Sequence, residues 1–197
     1  MSQPGTKRAT YEDLFGIPEN ATGEIIDGEL IVTPRPSRKH QFASSALGNM
    51  VGPSYQFGRG GGPGGWIILD EPEIALGENI LVPDLAGWRR ERFPGEEATN
   101  WISVVPDWVC EVLSPGTIRT DKVRKTGIYA EHGVRHLWLL DPLARTLDVF
   151  ELESGRWVVL GMHLENDRVR AHPFTEVEIE LELLWLGYEP PPPHEPA

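Results

Sequence analysis

The stretch WVCEVLSPGTIRTDKVRKTGIYAEHGVRHLWLLDP, residues 108–142, holds the clearest succession of secondary-structure signals in the chain. Residues 108–113 form an apolar run that predicts a buried strand, interrupted only by the charge of Glu111. Residues 120–131 predict a helix, ended by a following glycine, and residues 135–140 predict a second buried strand. This order indicates a β-sheet with a helix packed against it.

Local signals predict further elements on either side of this stretch. The pair Asp27-Gly28, between the short runs 24–26 and 29–32, is typical of a β-hairpin. The other predicted elements are helices at 10–15 and 38–50 and strands at 66–69, 80–88, 146–150 and 157–160. The helix at 38–50 is predicted from the four-residue spacing of Phe42, Ala46 and Met50.

Together these elements predict a single α+β domain with a central sheet and few helices. We expect this domain to span residues 10–188, between a flexible N-terminus at 1–9 and a proline-rich tail at 189–197. No apolar run approaches the roughly 18 residues that cross a bilayer, and the polar N-terminus has no signal-peptide core. The single Cys110 fits a reducing compartment, so we expect a cytoplasmic protein with no membrane partner.

The formal net charge of -12 argues against a protein that holds nucleic acid by bulk electrostatics alone. The negative charge is unevenly spread, however, because residues 151–197 carry ten acids and only three bases. Residues 34–126 carry eleven of each. If the partner is DNA, this balance predicts weak, metal-dependent and salt-sensitive binding.

Two carboxylates stand within apolar, strand-like segments. Asp84 lies within the run 82–86, and Glu111 lies within the run 108–113. Such a group is costly to bury unless it is paired or binds a metal. If the two strands are neighbours, both acids could converge on one ion, and oxygen ligands suit Mg2+ or Mn2+. The alternative is that each acid pairs with an arginine or faces solvent at a strand end.

The helix that follows Glu111 carries a stripe of polar residues. Asp121, Lys125 and Tyr129 are spaced four apart and therefore share one face. A lysine that reaches two metal-binding carboxylates would act as a point charge for a phosphate or polarise an attacking water. The alternative is an ordinary surface Asp–Lys pair, with Tyr129 packed beneath the helix.

The sequence resembles a known family over much of its length. The residues that carry the likeness are Pro83-Asp84, residues 109–115, Asp121, Lys125, Tyr129-Ala130, Gly133-Val134 and residues 137–142, with residues 23–30 and His40 upstream. This ordered set resembles the Uma-type family of restriction-endonuclease-like proteins, which are similar to PD-(D/E)XK nucleases. The likeness covers roughly residues 10–165.

The resemblance implies a restriction-endonuclease-like fold, a mixed central sheet flanked by helices, that hydrolyses DNA with Mg2+ or Mn2+. It makes Asp84 and Glu111 catalytic metal ligands, Glu24 a third ligand and His40 a catalytic residue near the site. The family pattern expects a lysine two residues after Glu111, where this chain has leucine. Lys125 is the substitute that the resemblance offers.

Three functional hypotheses remain open from the sequence. The first is an active metal-dependent DNA endonuclease. The second is a nuclease-fold module that has lost catalysis and serves in binding or assembly. The third is an unrelated hydrolase with two carboxylates, such as a glycosidase. Nucleases of this fold often form homodimers, and the apolar segment near Trp157 is the surface that we expect to pair two copies.

Overall fold

The computed structural model describes residues 8–95 and 99–188. Most of the predicted flexible N-terminus and the whole predicted proline-rich tail at 189–197 lie outside these residues. None of the helices in the described segments has the length and apolar character needed to cross a bilayer.

More residues of the fold lie in strands than in helices, and strands precede, separate and follow the two helices. Within the described residues the strands are β1 (Ala21–Ile26), β2 (Glu29–Pro34), β3 (Trp66–Asp70), β4 (Ile74–Leu76), β5 (Asn79–Leu81), β6 (Leu85–Arg89), β7 (Trp108–Val112), β8 (His136–Asp141), β9 (Thr146–Glu153), β10 (Arg156–Leu164), β11 (Arg168–Val169) and β12 (Ile179–Glu180). The helices are α1 (Arg38–Tyr55) and α2 (Thr126–His132), and a π-helical turn, Thr120–Lys125, leads directly into α2. Short 3-10 turns include Tyr11–Gly16, which Thr10 and Asp13 cap as a reciprocal capping box.

The central sheet has six strands in the order β10-β9-β8-β7-β6-β3. Strands β7 and β8 are parallel and the other neighbours are antiparallel, so the sheet is mixed. The predicted hairpin is present as β1 and β2, which join β5 and β4 in a separate four-stranded sheet. The predicted α+β fold with a mixed central sheet and an N-terminal hairpin is therefore confirmed.

Both faces of the central sheet are covered. On β7, side chains alternate between two apolar clusters, because successive strand residues point to opposite faces. Trp108, Cys110 and Val112 lie in the cluster that contains the buried face of α1. Val109 and Leu113 lie in the cluster that contains α2. Glu111 therefore belongs to the face covered by α2.

The sequence prediction of one strand over residues 80–88 is wrong. Residues 79–81 form β5 in the four-stranded sheet, and residues 85–89 form β6 in the central sheet. Pro83 lies at the break, where a residue without an N–H cannot continue a ladder of hydrogen bonds. Asp84 consequently lies in a bend between two sheets rather than inside a strand.

The predicted helix is present as α1, but the apolar residues that predicted it are not its most deeply buried ones; Ala46 and Met50 are partly buried against the core. Phe42 is 38% exposed, and the buried residues Ala43, Leu47 and Val51 form the adjacent stripe. That stripe continues to Tyr55, because the helix extends five residues beyond its predicted end. Both stripes have apolar residues four apart, so helical periodicity alone does not select between them.

The C-terminal segment completes the cluster on the α1 side of the sheet. The ring of Phe174 contacts those of Trp66, Trp108 and Trp138 at centroid distances of 5.0, 4.8 and 5.7 Å. Strand β10 forms one edge of the central sheet, with β3 at the other, and it exposes several apolar side chains. Pairing of two copies through this edge stays a prediction.

Candidate active site

A cleft with an empty volume of about 520 Å3 opens where the two sheets, α1 and the π-helical turn meet. All five residues predicted from the sequence line it: Glu24, His40, Asp84, Glu111 and Lys125. They come from β1, α1, the bend before β6, β7 and the π-helical turn. Residues about a hundred positions apart in the chain are thus brought to one place.

Asp84 is held by contacts on both of its carboxylate oxygens. Its Oδ2 accepts a hydrogen bond of 2.7 Å from the backbone N–H of Val112, and its Oδ1 is hydrogen-bonded to Nε2 of His40. Leu85 pairs with Cys110, so the next step of the register places Asp84 opposite Glu111. The bend thus presents Asp84 at the end of the central sheet, beside the second acid.

His40 lies in the first turn of α1, which Ser37 caps by accepting from the backbone N–H of His40. The side chain is buried and lies between Asp84 and the helix. Its Nδ1 is also buried and has no hydrogen-bond partner in the described part of the chain. His40 therefore fixes one oxygen of Asp84 and keeps a second ring nitrogen unpaired.

Glu111 is 2% exposed and makes two strong hydrogen bonds. Its Oε1 accepts from the Tyr129 hydroxyl at 2.5 Å and from Lys125 Nζ at 2.8 Å. Burial raises the pKa of Glu111 well above its usual value; Lys125 opposes this shift, and the nearby carboxylates of Asp121 and Asp84 add to it. Tyr129 is buried, as predicted for a residue beneath the helix, but its hydroxyl reaches the site.

Lys125 is the centre of a buried ionic cluster. Its Nζ lies 2.9 Å from Glu24, 2.8 Å from Glu111 and 3.9 Å from Asp121. Burial lowers the pKa of Lys125, but the carboxylates outweigh it and hold the pKa well above its usual value. The amine therefore stays protonated. The position two residues after Glu111 is taken by Leu113, which is buried in the apolar cluster, so the cation beside Glu111 comes from the helix.

Glu24 is fixed by two contacts through the same oxygen. Its Oε1 accepts from the backbone N–H of Val82 at 2.8 Å and contacts Lys125 Nζ at 2.9 Å. Lys125 Nζ also lies 3.4 Å from the carbonyl oxygen of Val82. The hairpin strand β1 is in this way tied to the segment that precedes Asp84 and to the helix that supplies the lysine.

The cleft gathers carboxylate oxygens, a kind of donor that divalent cations use. Asp84, Glu111, Glu24 and Asp121 bring four carboxylates against the charge of Lys125, and burial with this crowding raises the pKa of Asp121 as well as that of Glu111. Such an excess of buried negative charge is relieved by a cation. Across residues 8–95 and 99–188, no group of three or more His, Cys, Asp or Glu side chains is arranged to hold a metal ion. Mg2+ commonly uses one or two carboxylates with waters and substrate phosphates instead.

One acid of the cleft was missed by the sequence analysis. Glu71 lines the cleft from the turn after β3, with a positive φ of 46°, and its backbone N–H donates to the carbonyl of Asp84 at 3.1 Å. The signal in the sequence is the pair Asp70-Glu71 at the end of a predicted apolar strand. Polar residues that directly follow a strand of the central sheet often face a functional edge.

Comparison with known proteins adds to this geometry. The fold matches the crystal structure of a putative nuclease of DUF820 from Anabaena variabilis, with a TM-score of 0.72 and 24% sequence identity. The alignment covers 90% of this chain and 97% of the other, so nearly the whole fold is shared. No curated protein matches the chain.

A sequence-family comparison covers most of the chain. Residues 8–183 match the Uma2 family, whose description is "Putative restriction endonuclease". The matched range begins before the hairpin and ends in the C-terminal segment, and it includes every cleft residue described above. The chain therefore belongs to the Uma2 family of putative restriction endonucleases.

Proposed function

We propose that the protein is a metal-dependent endonuclease that hydrolyses phosphodiester bonds in DNA. The observation that carries the proposal is the cleft in which Asp84 and Glu111 lie on adjacent segments beside a protonated, buried Lys125. Membership of a family described as restriction endonucleases supports the same substrate.

Asp84 and Glu111 would hold Mg2+ or Mn2+, which would activate water for attack and neutralise charge on the phosphate. The Asp84 carboxylate is oriented for this task by the Val112 N–H and by His40. Tyr129 donates a hydrogen bond to one Glu111 oxygen and leaves the other oxygen for a ligand. These contacts fix the ligands before substrate arrives, which avoids reorganisation during the reaction.

Lys125 would place a fixed positive charge beside the scissile phosphate. Glu24 and Asp121 hold its side chain, and their contacts keep the amine protonated at neutral pH. In this proposal Glu24 acts first by positioning Lys125, and a role as third metal ligand would use its second oxygen. DNA binding should be weak without metal, because the cleft itself is acidic. It should fall as salt rises, because salt competes with the contacts between protein cations and phosphates.

A catalytically inactive binding or assembly module is the second candidate function. It is favoured by Leu113 in the place of the strand lysine and by the ion pairs that already engage Lys125. The two functions differ in a single measurable property, the metal-dependent loss of intact DNA.

Plasmid DNA incubated with the purified protein and Mg2+ or Mn2+ tests the proposal. We expect nicked and linear products from the wild type and none from Asp84→Ala or Glu111→Gln. Glu131→Gln, which removes an exposed acid from α2, is the matched control and should cut like the wild type. Intact plasmid with the wild type across both metals and a range of salt would favour the inactive module, and equal cutting by every variant would expose a contaminating nuclease.

A further inference from the structure

A second cavity opens directly from the catalytic cleft and runs along α1. Pro36, His40, Glu71 and Asp84 line both cavities, so the two are continuous. We call this second cavity the α1 groove. The lining residues on which the argument depends are Gln41, Ser45, Asn49, Gly52, Gln56 and Phe57. From His40 to Gln56 the helix rises about 24 Å, a length comparable with the smallest single-strand sites of about 4 nucleotides.

The wall of the α1 groove carries neutral hydrogen-bonding groups that no protein atom uses. The side chains of Gln41, Ser45 and Asn49 follow one another at four-residue spacing and make no hydrogen bond within the described part of the chain. Gln56 accepts from the backbone N–H of Ile68 through Oε1, which leaves its amide group free to donate. Amides and hydroxyls of this kind pair with base edges and sugars.

The far end of the groove differs in chemistry from the end at the cleft. Phe57 is 62% exposed there, and the Arg59 guanidinium lies 5.5 Å from the centre of its ring. Arg90 is fixed nearby through hydrogen bonds of 3.1 Å to the carbonyls of Gln56 and Trp66. The groove therefore runs from an aromatic ring with arginines to the acidic cleft, an order that suits a strand whose phosphates meet cations before they reach a metal.

We infer that the α1 groove binds an unpaired stretch of a nucleic acid strand and leads it into the catalytic cleft; the inference rests on the proposed function. An exposed ring can stack on a base only when that base is not already stacked and paired in a duplex. Gly52 keeps the groove open, because a Cβ placed there would meet no atom within 4 Å. The preferred substrate is then DNA that contains a single-stranded segment.

Binding is measured by fluorescence anisotropy with a short labelled single-stranded DNA, its duplex and the RNA of the same sequence. All are measured in Ca2+ in place of Mg2+, and gel electrophoresis checks that the nucleic acid stays uncut. Two variants alter the groove. Phe57→Ala removes the ring, and Phe15→Ala, an exposed phenylalanine outside the groove, is its control. Gly52→Leu fills the groove, and Gly127→Leu, at an exposed helical glycine that also has open space around it, is its control. Thermal unfolding by circular dichroism confirms that each variant is folded.

We expect the wild type to bind the single strand more tightly than the duplex, and Phe57→Ala to bind it about tenfold more weakly. Gly52→Leu should weaken binding at least as much, while both controls bind like the wild type. Equal affinity for the duplex, preference for RNA alone, absence of binding, or unchanged affinity in both groove variants would overturn the inference. Groove-dependent binding, with neither the plasmid nor the same single-stranded DNA cut in Mg2+ or Mn2+, would support the groove and refute the catalytic proposal, so the two fail separately.

Discussion

Replacing Lys125 with methionine tests the ionic cluster that holds the site together. The substitution keeps an unbranched chain of similar length but removes the charge. Glu24 and Glu111, which lie 2.9 and 2.8 Å from Nζ, would lose their shared cation in a site where Lys125 is only 2% exposed. Because the methionine side chain occupies the place of the amine and carries no charge, the carboxylates must be neutralised or stay buried without a counter-ion.

The size of the effect follows from the easier of these two routes. Protonating one carboxyl at pH 7 costs at most about 4 kcal/mol, the value for a usual pKa of about 4.3 at about 1.4 kcal/mol per unit, and it costs less for Glu111, because burial already raises the pKa of that group. Loss of one partner from a buried ion pair typically costs about 3–5 kcal/mol, which agrees. At pH 5 the same protonation costs only about 1 kcal/mol, so the deficit should shrink as pH falls.

Urea unfolding of the wild type and of Lys125→Met at the two pH values gives the free energies of unfolding directly. Lys122→Met, on the exposed side of the same turn, is the matched control and should change stability little. A deficit below about 1 kcal/mol at neutral pH, or one that grows on acidification, would refute the assignment of Lys125 as the counter-ion of these carboxylates.

Two further outcomes can be checked by similar measurements. Tyr129→Phe removes a hydrogen bond to a buried carboxylate and should lower the free energy of unfolding by about 1.5–3 kcal/mol. Tyr55→Phe removes a hydrogen bond from a backbone N–H and should lower it by only about 1 kcal/mol. Equal losses would show that the bond to Glu111 is no stronger than a bond between neutral groups. Burial lowers the pKa of His136 from 6.5 to about 4, so below pH 6.5 the unfolded chain binds a proton that the folded chain does not. Stability should therefore fall by up to about 3 kcal/mol as pH drops toward 4, a loss that His136→Gln lacks; parallel pH curves for the two proteins would show that His136 is not buried in neutral form.

The secondary structure was predictable wherever a local signal was strong. Asp27-Gly28 defined the hairpin, and the apolar run at 108–112 defined the central strand that pairs with β8. The wrong prediction at residues 80–88 and the unpredicted buried stripe of α1 have a common cause. Periodicity describes one segment at a time, whereas a change of sheet at Pro83 and the choice between two stripes of α1 depend on what packs against them.

The acids of the cleft could be identified because each is a charge in an apolar segment. Asp84 and Glu111 were found in this way, and the spacing of Asp121, Lys125 and Tyr129 predicted the helical face that meets them. Glu71 carried a weaker signal, because acids in exposed turns are common. That Lys125 reaches Glu111, while Leu113 stays in the apolar cluster, depends on how the helix packs and could not be derived from spacing alone.

The scattered origin of the cleft has a consequence for the order of events during synthesis. Glu24 is made about a hundred residues before Lys125, and Arg124 clasps the hairpin through Ile26, Asp27 and Glu29 across similar separations. Contacts this distant form late, because the intervening loop must first be closed. A nascent chain that ends before residues 120–132 lacks both Lys125 and the contacts of Arg124 with the hairpin. The cleft can therefore form only after about two thirds of the chain has been synthesised.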